Sequence, residues 1–379
     1  MRRSAAASWA SALIALVACT STAPALPSSV PSPALTPIPP PAGARLVSGV
    51  ALPGCTPGVP TASDTVTFVA DGYAWALSPN GAHLTCLFPV TDPGPFEWGP
   101  LGDRVLLGGL EVKGVAGGPS LTASGQTFGA VTWSRPTGKT IVYAATGDTV
   151  LQKLSVDGSP TQDVTPLQGS KYLSVTYHPS GEAYAFVREE DGVQSIAMST
   201  NTGKTPVQLV FTTQGTKFGA IGFEADGKHL LYAAQIADNH ASLHRIAVTD
   251  TSNAAVLWEG PIGPTVLDIR TGLKSGTFAW TTGTSCSDSV AMAQSPAGTG
   301  PALTDEARPT RAVGWLNATQ LLVAIGGCSG PFDLSAVDVG SGAVAELVFG
   351  VSIAAVRTPV PTPAARLPAA VTTLGSGFS

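Results

Sequence analysis

The chain has 379 residues, 44% of them hydrophobic and only 12% charged, about half the charge of an average soluble domain. Its 43 glycines and 32 prolines rule out a helical bundle or coiled coil, and apolar residues recur too widely for a disordered chain. The formal charge is −5, and setting aside the cations Arg2 and Arg3 makes it −7, so no basic surface exists for a nucleic-acid backbone.

Residues 1–18 place Arg2 and Arg3 ahead of a largely apolar run from Ala5 to Ala18. A membrane span needs about 20 apolar residues, so this shorter run reads as a secretory leader. It ends in Leu16-Val17-Ala18-Cys19, which resembles the lipobox of bacterial lipoproteins. That resemblance implies cleavage before Cys19 and acylation of its thiol. It also implies an extracytoplasmic protein, lipid-anchored to the bacterial cell membrane. The twin arginines lack the rest of a twin-arginine motif, which favours the Sec route.

Residues 19–43 form a stalk of mostly Pro, Ala, Ser and Thr with no charged residue. Such a segment cannot bury enough apolar surface to fold. At about 3.1 Å per residue it reaches up to roughly 70 Å. An irregular lead-in follows over 44–63, then the folded domain over 64–357. A flexible tail over 358–379 opens with the Pro-rich stretch Pro359–Pro363.

From residue 95 onward an aromatic, a turn and an apolar strand recur at a nearly fixed step. Trp98 begins W-G-P-L-G-D-R-V-L-L, Trp133 begins W-S-R-P-T-G-K-T-I-V-Y and Tyr177 begins Y-H-P-S-G-E-A-Y-A-F. Phe223 begins F-E-A-D-G-K-H-L-L-Y, an eroded copy passes through Arg270, and Trp315 begins W-L-N-A-T-Q-L-L-V-A. The steps are 35, 44, 46, 47 and 45 residues. Each period holds four strand signals; in the copy at Trp133 they are Phe128–Trp133, Thr140–Ala144, Val150–Val156 and Thr161–Leu167. Asp157-Gly158 and Asn80-Gly81 supply hairpin turns. Strands such as Ile141-Val142-Tyr143 and Leu230-Leu231-Tyr232 are apolar on both faces, which suits sheets sandwiched between neighbouring sheets. Gly and Ala in the strands leading into Trp133 and Phe223 suit inner strands crowded around an axis.

Four-stranded units at this spacing predict an all-β fold, a single β-propeller. The turn resembles the WD-like repeat of the TolB-type propeller family, W-S-x-x-G-K. Phe223-Glu224-Ala225-Asp226-Gly227-Lys228 and Tyr177-His178-Pro179-Ser180-Gly181-Glu182 keep its spacing, while Trp133 to Lys139 has one residue more. The resemblance covers about residues 60–357 and implies a fold, with no catalytic residue carried over. Six complete periods start near residues 95, 128, 172, 218, 265 and 311. Before them lie three strands, Val66–Ala70, Tyr73–Ser78 and Ala82–Phe88; after them lies one inner-type strand, Ser352–Arg357. Joining three to one closes a ring of seven blades and leaves no orphan edge. Six is the alternative if the short second blade is irregular.

Apart from Cys19, the chain holds Cys55, Cys86, Cys286 and Cys328, an even number suited to an oxidising compartment. Four buried free thiols are the alternative. Repeat position suggests the pairing Cys55–Cys86, which pins the lead-in to the first blade. It also suggests Cys286–Cys328, which lie in equivalent connections of adjacent blades.

Signals for chemistry are weak. His240 and His244 have the i, i+4 spacing of a helical metal pair but lie beside a predicted strand, where that spacing does not converge. His178 and His229 fall in the turn after the inner strand and read as exposed. Glu189, Glu190 and Asp191 are consecutive in a hairpin and do not form a calcium loop, so neither metal nor cofactor is expected. Gly327-Cys328-Ser329-Gly330-Pro331 misses the nucleophile-elbow pattern. Prolyl-oligopeptidase-like enzymes add an α/β-hydrolase domain to their propeller, and no stretch here remains for one. Gly138-Lys139-Thr140 could end a phosphate loop, but Trp133 stands where the first glycine is required.

The charges on or beside inner strands are Glu97, Asp268, Arg270, Arg311 and Arg357. They can line a water-filled channel, pairing with one another or meeting a small anionic or polar ligand. The leading expectation is a non-enzymatic binding or scaffolding module for a protein or envelope glycan. A propeller glycosidase or lyase acting at the channel mouth is the alternative from another class, and a ligand sensor is a third.

Overall fold

Short apolar strands joined by Gly-containing turns dominate the computed structural model. It describes residues 43–357 apart from 93, 116–119, 123–127, 146–148, 203–205, 212–215, 236–239, 263–264, 297, 300–307 and 327–329. The leader, Cys19, the stalk and the tail lie outside the described residues. Among the described residues the helical elements are two 3-10 turns, Gly108–Leu110 and Cys286–Asp288.

The lead-in contains β1 (Arg45–Leu46). Blade 1 then contributes β2 (Val66–Ala70), β3 (Tyr73–Leu77) and β4 (Leu84–Pro89). Blade 2 is short: β5 (Glu97–Trp98), β6 (Arg104–Leu107), β7 (Glu111–Gly114) and β8 (Leu121–Thr122). Blade 3 comprises β9 (Phe128–Trp133), β10 (Thr140–Ala145), β11 (Leu151–Ser155) and β12 (Gln162–Asp163). Blade 4 comprises β13 (Lys171–Tyr177), β14 (Ala183–Glu190), β15 (Val193–Thr200) and β16 (Val207–Phe211). Blade 5 comprises β17 (Lys217–Phe223), β18 (His229–Gln235), β19 (His240–Ala247) and β20 (Asp250–Ile262). Blade 6 comprises β21 (Thr265–Thr271), β22 (Phe278–Gly283), β23 (Val290–Ser295) and β24 (Gly298–Thr299). Blade 7 comprises β25 (Thr310–Trp315), β26 (Gln320–Gly326), β27 (Phe332–Asp338) and β28 (Val344–Val351).

The last strand, β29 (Ile353–Val356), returns to blade 1 as its inner strand, giving the order β29-β2-β3-β4. Val66 stands opposite Val356, and Val69 opposite Ile353. The fold is therefore a seven-bladed propeller closed by three N-terminal strands and one C-terminal strand, as the repeat arithmetic predicts. The lead-in straps the outside. β1 adds a fifth strand to blade 7, with Leu46 opposite Val348. Cys55 then bonds to Cys86 of β4, their Cα atoms 5.4 Å apart.

Propellers have no central core, because their centre is a channel. Here the apolar side chains fill seven seams between adjacent blades. Consecutive residues of one strand point to opposite seams, as the pleat requires. Leu230 packs toward blade 4 with Phe218 and Ile196, while Leu231 packs toward blade 6 with Phe278 and Trp280. Leu321 and Leu322 divide in the same way, one joining the blade 6 seam and the other the blade 1 seam. A second strand buried on both faces must therefore be apolar at every position, which explains Val105-Leu106-Leu107 and Ile141-Val142-Tyr143. Fully burying each such side chain contributes about 1.5–3 kcal/mol.

Candidate functional site

Inner strands run parallel to the axis and end in a turn to the second strand, so all these turns gather on one face around the channel mouth. The tryptophan that closes the inner strand of blades 2, 3 and 7 links neighbouring blades. Trp98 donates its indole N–H to Thr67 Oγ1 (2.7 Å), Trp133 to the Glu97 carbonyl (3.3 Å) and Trp315 to the Arg270 carbonyl (3.1 Å). In each case the acceptor belongs to the preceding blade. Small residues beside the aromatics permit this approach. A Cβ on Gly314 would sit 3.0 Å from Val356, and one on Gly222 would sit 3.3 Å from Thr271.

The turns themselves interlock. A Cβ on Gly138 would meet Pro100 at 2.8 Å, and one on Gly181 would fall 1.7 Å from the Arg135 carbonyl oxygen. His178 and Glu224 continue the ring. His178 is fully buried, not exposed as a turn histidine is expected to be. Its Nδ1 accepts the Ser180 N–H (3.1 Å), so Nε2 carries the proton and donates to the Gly227 carbonyl of the next blade (2.9 Å). The expectation fails because the turn of blade 5 roofs this one. Glu224, also fully buried, accepts the Arg245 guanidinium at 2.7 and 3.0 Å, the Ser275 hydroxyl and the Gly276 N–H at 3.2 Å. Burial pushes its carboxyl up, but these hydrogen bonds and the Arg245 charge outweigh it and hold the pKa below the ordinary value.

Glu224, Asp226 and His229 bring potential metal ligands within 4.8 Å of one another. Arg245 occupies the cation's role there, because its Nη2 also lies 3.0 Å from His229 Nδ1. The donor set is consumed by a guanidinium and does not suit a metal ion.

Inside the ring, Glu97 comes from β5, Arg135 from the turn after β9 and Arg270 from the end of β21. They belong to blades 2, 3 and 6, and the charges of Arg135 and Arg270 both act on Glu97. Burial pushes the Glu97 carboxyl above its ordinary value, against the two arginine charges, and pulls the Arg135 guanidinium below its own. Arg135 nevertheless keeps exposed surface. Asp268 lies 3.6 Å from Arg270 on the same strand, and Arg311 is half-buried on β25 of the next blade. Arg357 is committed to closure. Its Nε donates to the Gly102 carbonyl and its Nη1 to the Thr61 carbonyl, both at 2.6 Å, and its guanidinium lies over Trp98, 5.6 Å from the ring centroid. Arg135, two residues past Trp133, escapes a sequence search confined to inner strands.

The remaining sequence candidates are dispersed. His240 and His244 both lie on β19, and His244 stacks on Tyr232 with ring centroids 4.8 Å apart. Glu190 pairs with Arg188 at 2.8 Å, and Gln194 donates to Glu189 at 2.9 Å, in a hairpin turned by Asp191 and Gly192 at positive φ. Cys286 begins the 3-10 turn between β22 and β23. Cys328 lies outside the described residues, and with it the Cys286–Cys328 pairing and the Gly327–Ser329 motif.

No family model and no curated protein matches this chain. Solved structures do. A structure from a study of two prolyl endopeptidases matches at a TM-score of 0.55 and 10% identity, over 76% of this chain and 47% of that one. The chain thus spans about half the length of that structure. TolB from Acinetobacter baumannii matches at a TM-score of 0.44 and 13% identity, over 80% of this chain and 69% of that one. The propeller domain of Cps50 (Swd1) from Myceliophteria thermophila matches at 0.46 and 12% identity, over 75% and 86%. At these identities the likeness is one of fold alone: the chain is a β-propeller.

Proposed function

We propose that this chain is a lipid-anchored, extracytoplasmic propeller that acts as a non-enzymatic binding or scaffolding module. In this reading it presents its inner-turn face to a protein partner. The observation that carries the reading is the interlocked ring of turns, Pro100–Gly138, Arg135–Gly181, His178–Gly227 and Glu224–Ser275. A surface fixed before contact loses little conformational entropy on binding. It also displays apolar side chains, with Leu101 42% and Leu273 43% exposed in the turns of blades 2 and 6. Anchoring follows from Leu16–Cys19 and the uncharged stalk behind it.

Two experiments test the two halves separately. Cys19→Ala is expected to release the protein from membranes or leave an unprocessed precursor; a mature N-terminus elsewhere without an acyl chain overturns the anchor. For the face, a photo-crosslinker is placed at Thr137, Lys228 or Lys274, and at Asp71 on the opposite face. The three turn positions are expected to give a discrete protein adduct in native membranes and Asp71 none. Adducts from Asp71 alone, or from no position, overturn the assignment.

A further inference from the structure

The fourth strand of blade 2, β8, pairs with only Glu111 and Val112 of β7, so the outer part of the seam between blades 1 and 2 stays open. A cleft of about 400 Å³ lies there, within the roughly 300–1,000 Å³ of ligand-sized sites. Val59 of the lead-in, Leu87, Phe88 and Pro89 of blade 1, and Lys113 and Val115 of blade 2 line it. Lys113 Nζ braces its wall, donating to the Pro89 carbonyl (3.0 Å), pairing with Glu111 (3.2 Å) and standing 5.3 Å from the centroid of the Phe88 ring. Val59 at the rim is 68% exposed, more than any other large apolar side chain among the described residues. The walls offer few free amide donors. Pro89 has none, the Gly58 N–H donates to the Cys86 carbonyl (2.8 Å), and the Val115 N–H donates to the Asp103 carbonyl (3.0 Å). An added β-strand needs a ladder of donors and acceptors. A polyproline II segment does not, and such segments dock in grooves that carry an aromatic ring.

We propose that this cleft is the seat of the chain's own Pro-rich run, Pro359–Pro368, docked there as a polyproline II segment. Residues 358–368 read T-P-V-P-T-P-A-A-R-L-P, in which four prolines carry no N–H and Val360 and Leu367 add apolar surface. The path of the chain argues for this occupant. Arg357, the last described residue, donates from Nη1 to the Thr61 carbonyl (2.6 Å) and from its main-chain N–H to the Thr65 carbonyl (2.8 Å). Val59 precedes Thr61 by two residues, at most about 7 Å of backbone. At about 3.1 Å per residue, residues 358–368 extend up to roughly 34 Å, so the run reaches the cleft with length to spare. The other Pro-rich segment, residues 19–42, joins the domain at Gly43, where an added Cβ would lie 3.9 Å from Asp71 on the opposite face. The cleft goes beyond the partner-binding face and does not depend on it.

The test places a photo-crosslinking residue at Val59 in the full chain in detergent, with Val256 of β20, 51% exposed, as the control position. After illumination, trypsin is expected to release the Val59 peptide joined to Thr358–Arg366 of the same chain, and the Val256 probe is expected to give no such product. A second probe at Ser120, also on the cleft, carries the test should the first chain misfold. Tethering at Arg357 alone could bring the tail near Val59, so a variant separates proximity from docking. Combining Pro359→Gly, Pro361→Gly and Pro363→Gly keeps the tether but restores backbone freedom that docking must remove. The adduct is expected to fall several-fold in that variant. An unchanged or larger yield would overturn the proposal. So would adducts to residues 19–42, adducts between two chains, or no adduct from either cleft position.

Discussion

His178 in blade 4 donates its Nε2 proton to the main-chain carbonyl of Gly227 in blade 5, 2.9 Å away, with its ring edge-on to Phe223. This bond uses the neutral ring. Burial holds the His178 pKa below its ordinary value, although Gly227, Glu182 and Asp226 favour the charged form. In the unfolded chain a histidine titrates near about 6.5. Above that pH both states are neutral and the clasp contributes fully. Below it, the unfolded chain takes up a proton that the folded chain resists, so stability falls as the pH drops. His244, also pulled down by burial, adds a slope of the same sign. The expected result is a lower melting temperature at pH 5.5 than at 7.5, with part of that difference lost in His178→Gln. A variant that keeps the whole difference would place the proton elsewhere.

Gly181 and Gly158 both adopt positive φ, +78° and +86°, but only Gly181 faces a neighbour. Gly158→Ala is expected to cost about 1 kcal/mol from left-handed backbone alone. Gly181→Ala must also move the Arg135 carbonyl, which is backbone of another blade, and is expected to cost more than about 3 kcal/mol. Urea denaturation of the two variants checks the contrast, and equal midpoints would refute turn-on-turn packing.

Much of this was legible in the sequence, and the part that was not has a common cause. Strand positions follow from local pattern, so Phe128–Trp133 and the three-plus-one closure could be read from periodicity and strand count. The Cys55–Cys86 bond follows from the position of Cys86 in an outer strand. His178 and Glu224 defied reading because a turn residue ordinarily meets water. Only the ring places Gly227 and Ser275 over them, 49 and 51 positions away. Arg135 was missed because nothing local says that the turn after β9 brings its charge to bear on Glu97.

Glu224 makes Arg245 indispensable. Arg245→Met leaves a buried carboxylate with only Ser275 and Gly276 as donors, and is expected to destabilise by about 2–3 kcal/mol. Adding Glu224→Gln removes the stranded charge, so the double variant is expected to recover part of that loss. Chemical denaturation of both single variants and the double variant measures the coupling. Strict additivity would mean that the pair does not act as a unit.

The strap depends on its disulfide. Cys55 and Cys86 are 31 positions apart, for which the chain-entropy model gives about 3–4 kcal/mol. Cys55→Ser is expected to lower stability by that order and to open residues 43–63 to limited proteolysis, while the blades stay resistant. Cleavage inside blade 1 at the same rate would show that the bond holds the blade rather than the strap.

Pairing of β29 with β2 also sets an order in time. Thr67 Oγ1 donates to the carbonyl of Ala355, a partner 288 positions later in the chain. Until that residue has emerged from the ribosome, β2 presents a bare edge to its surroundings. Six blades can form as they are made, but the ring cannot shut during synthesis. Its maturation is a late event that joins the two ends of the domain over a long sequence separation, the kind of contact that slows folding. The cell must guard that open edge for as long as closure takes.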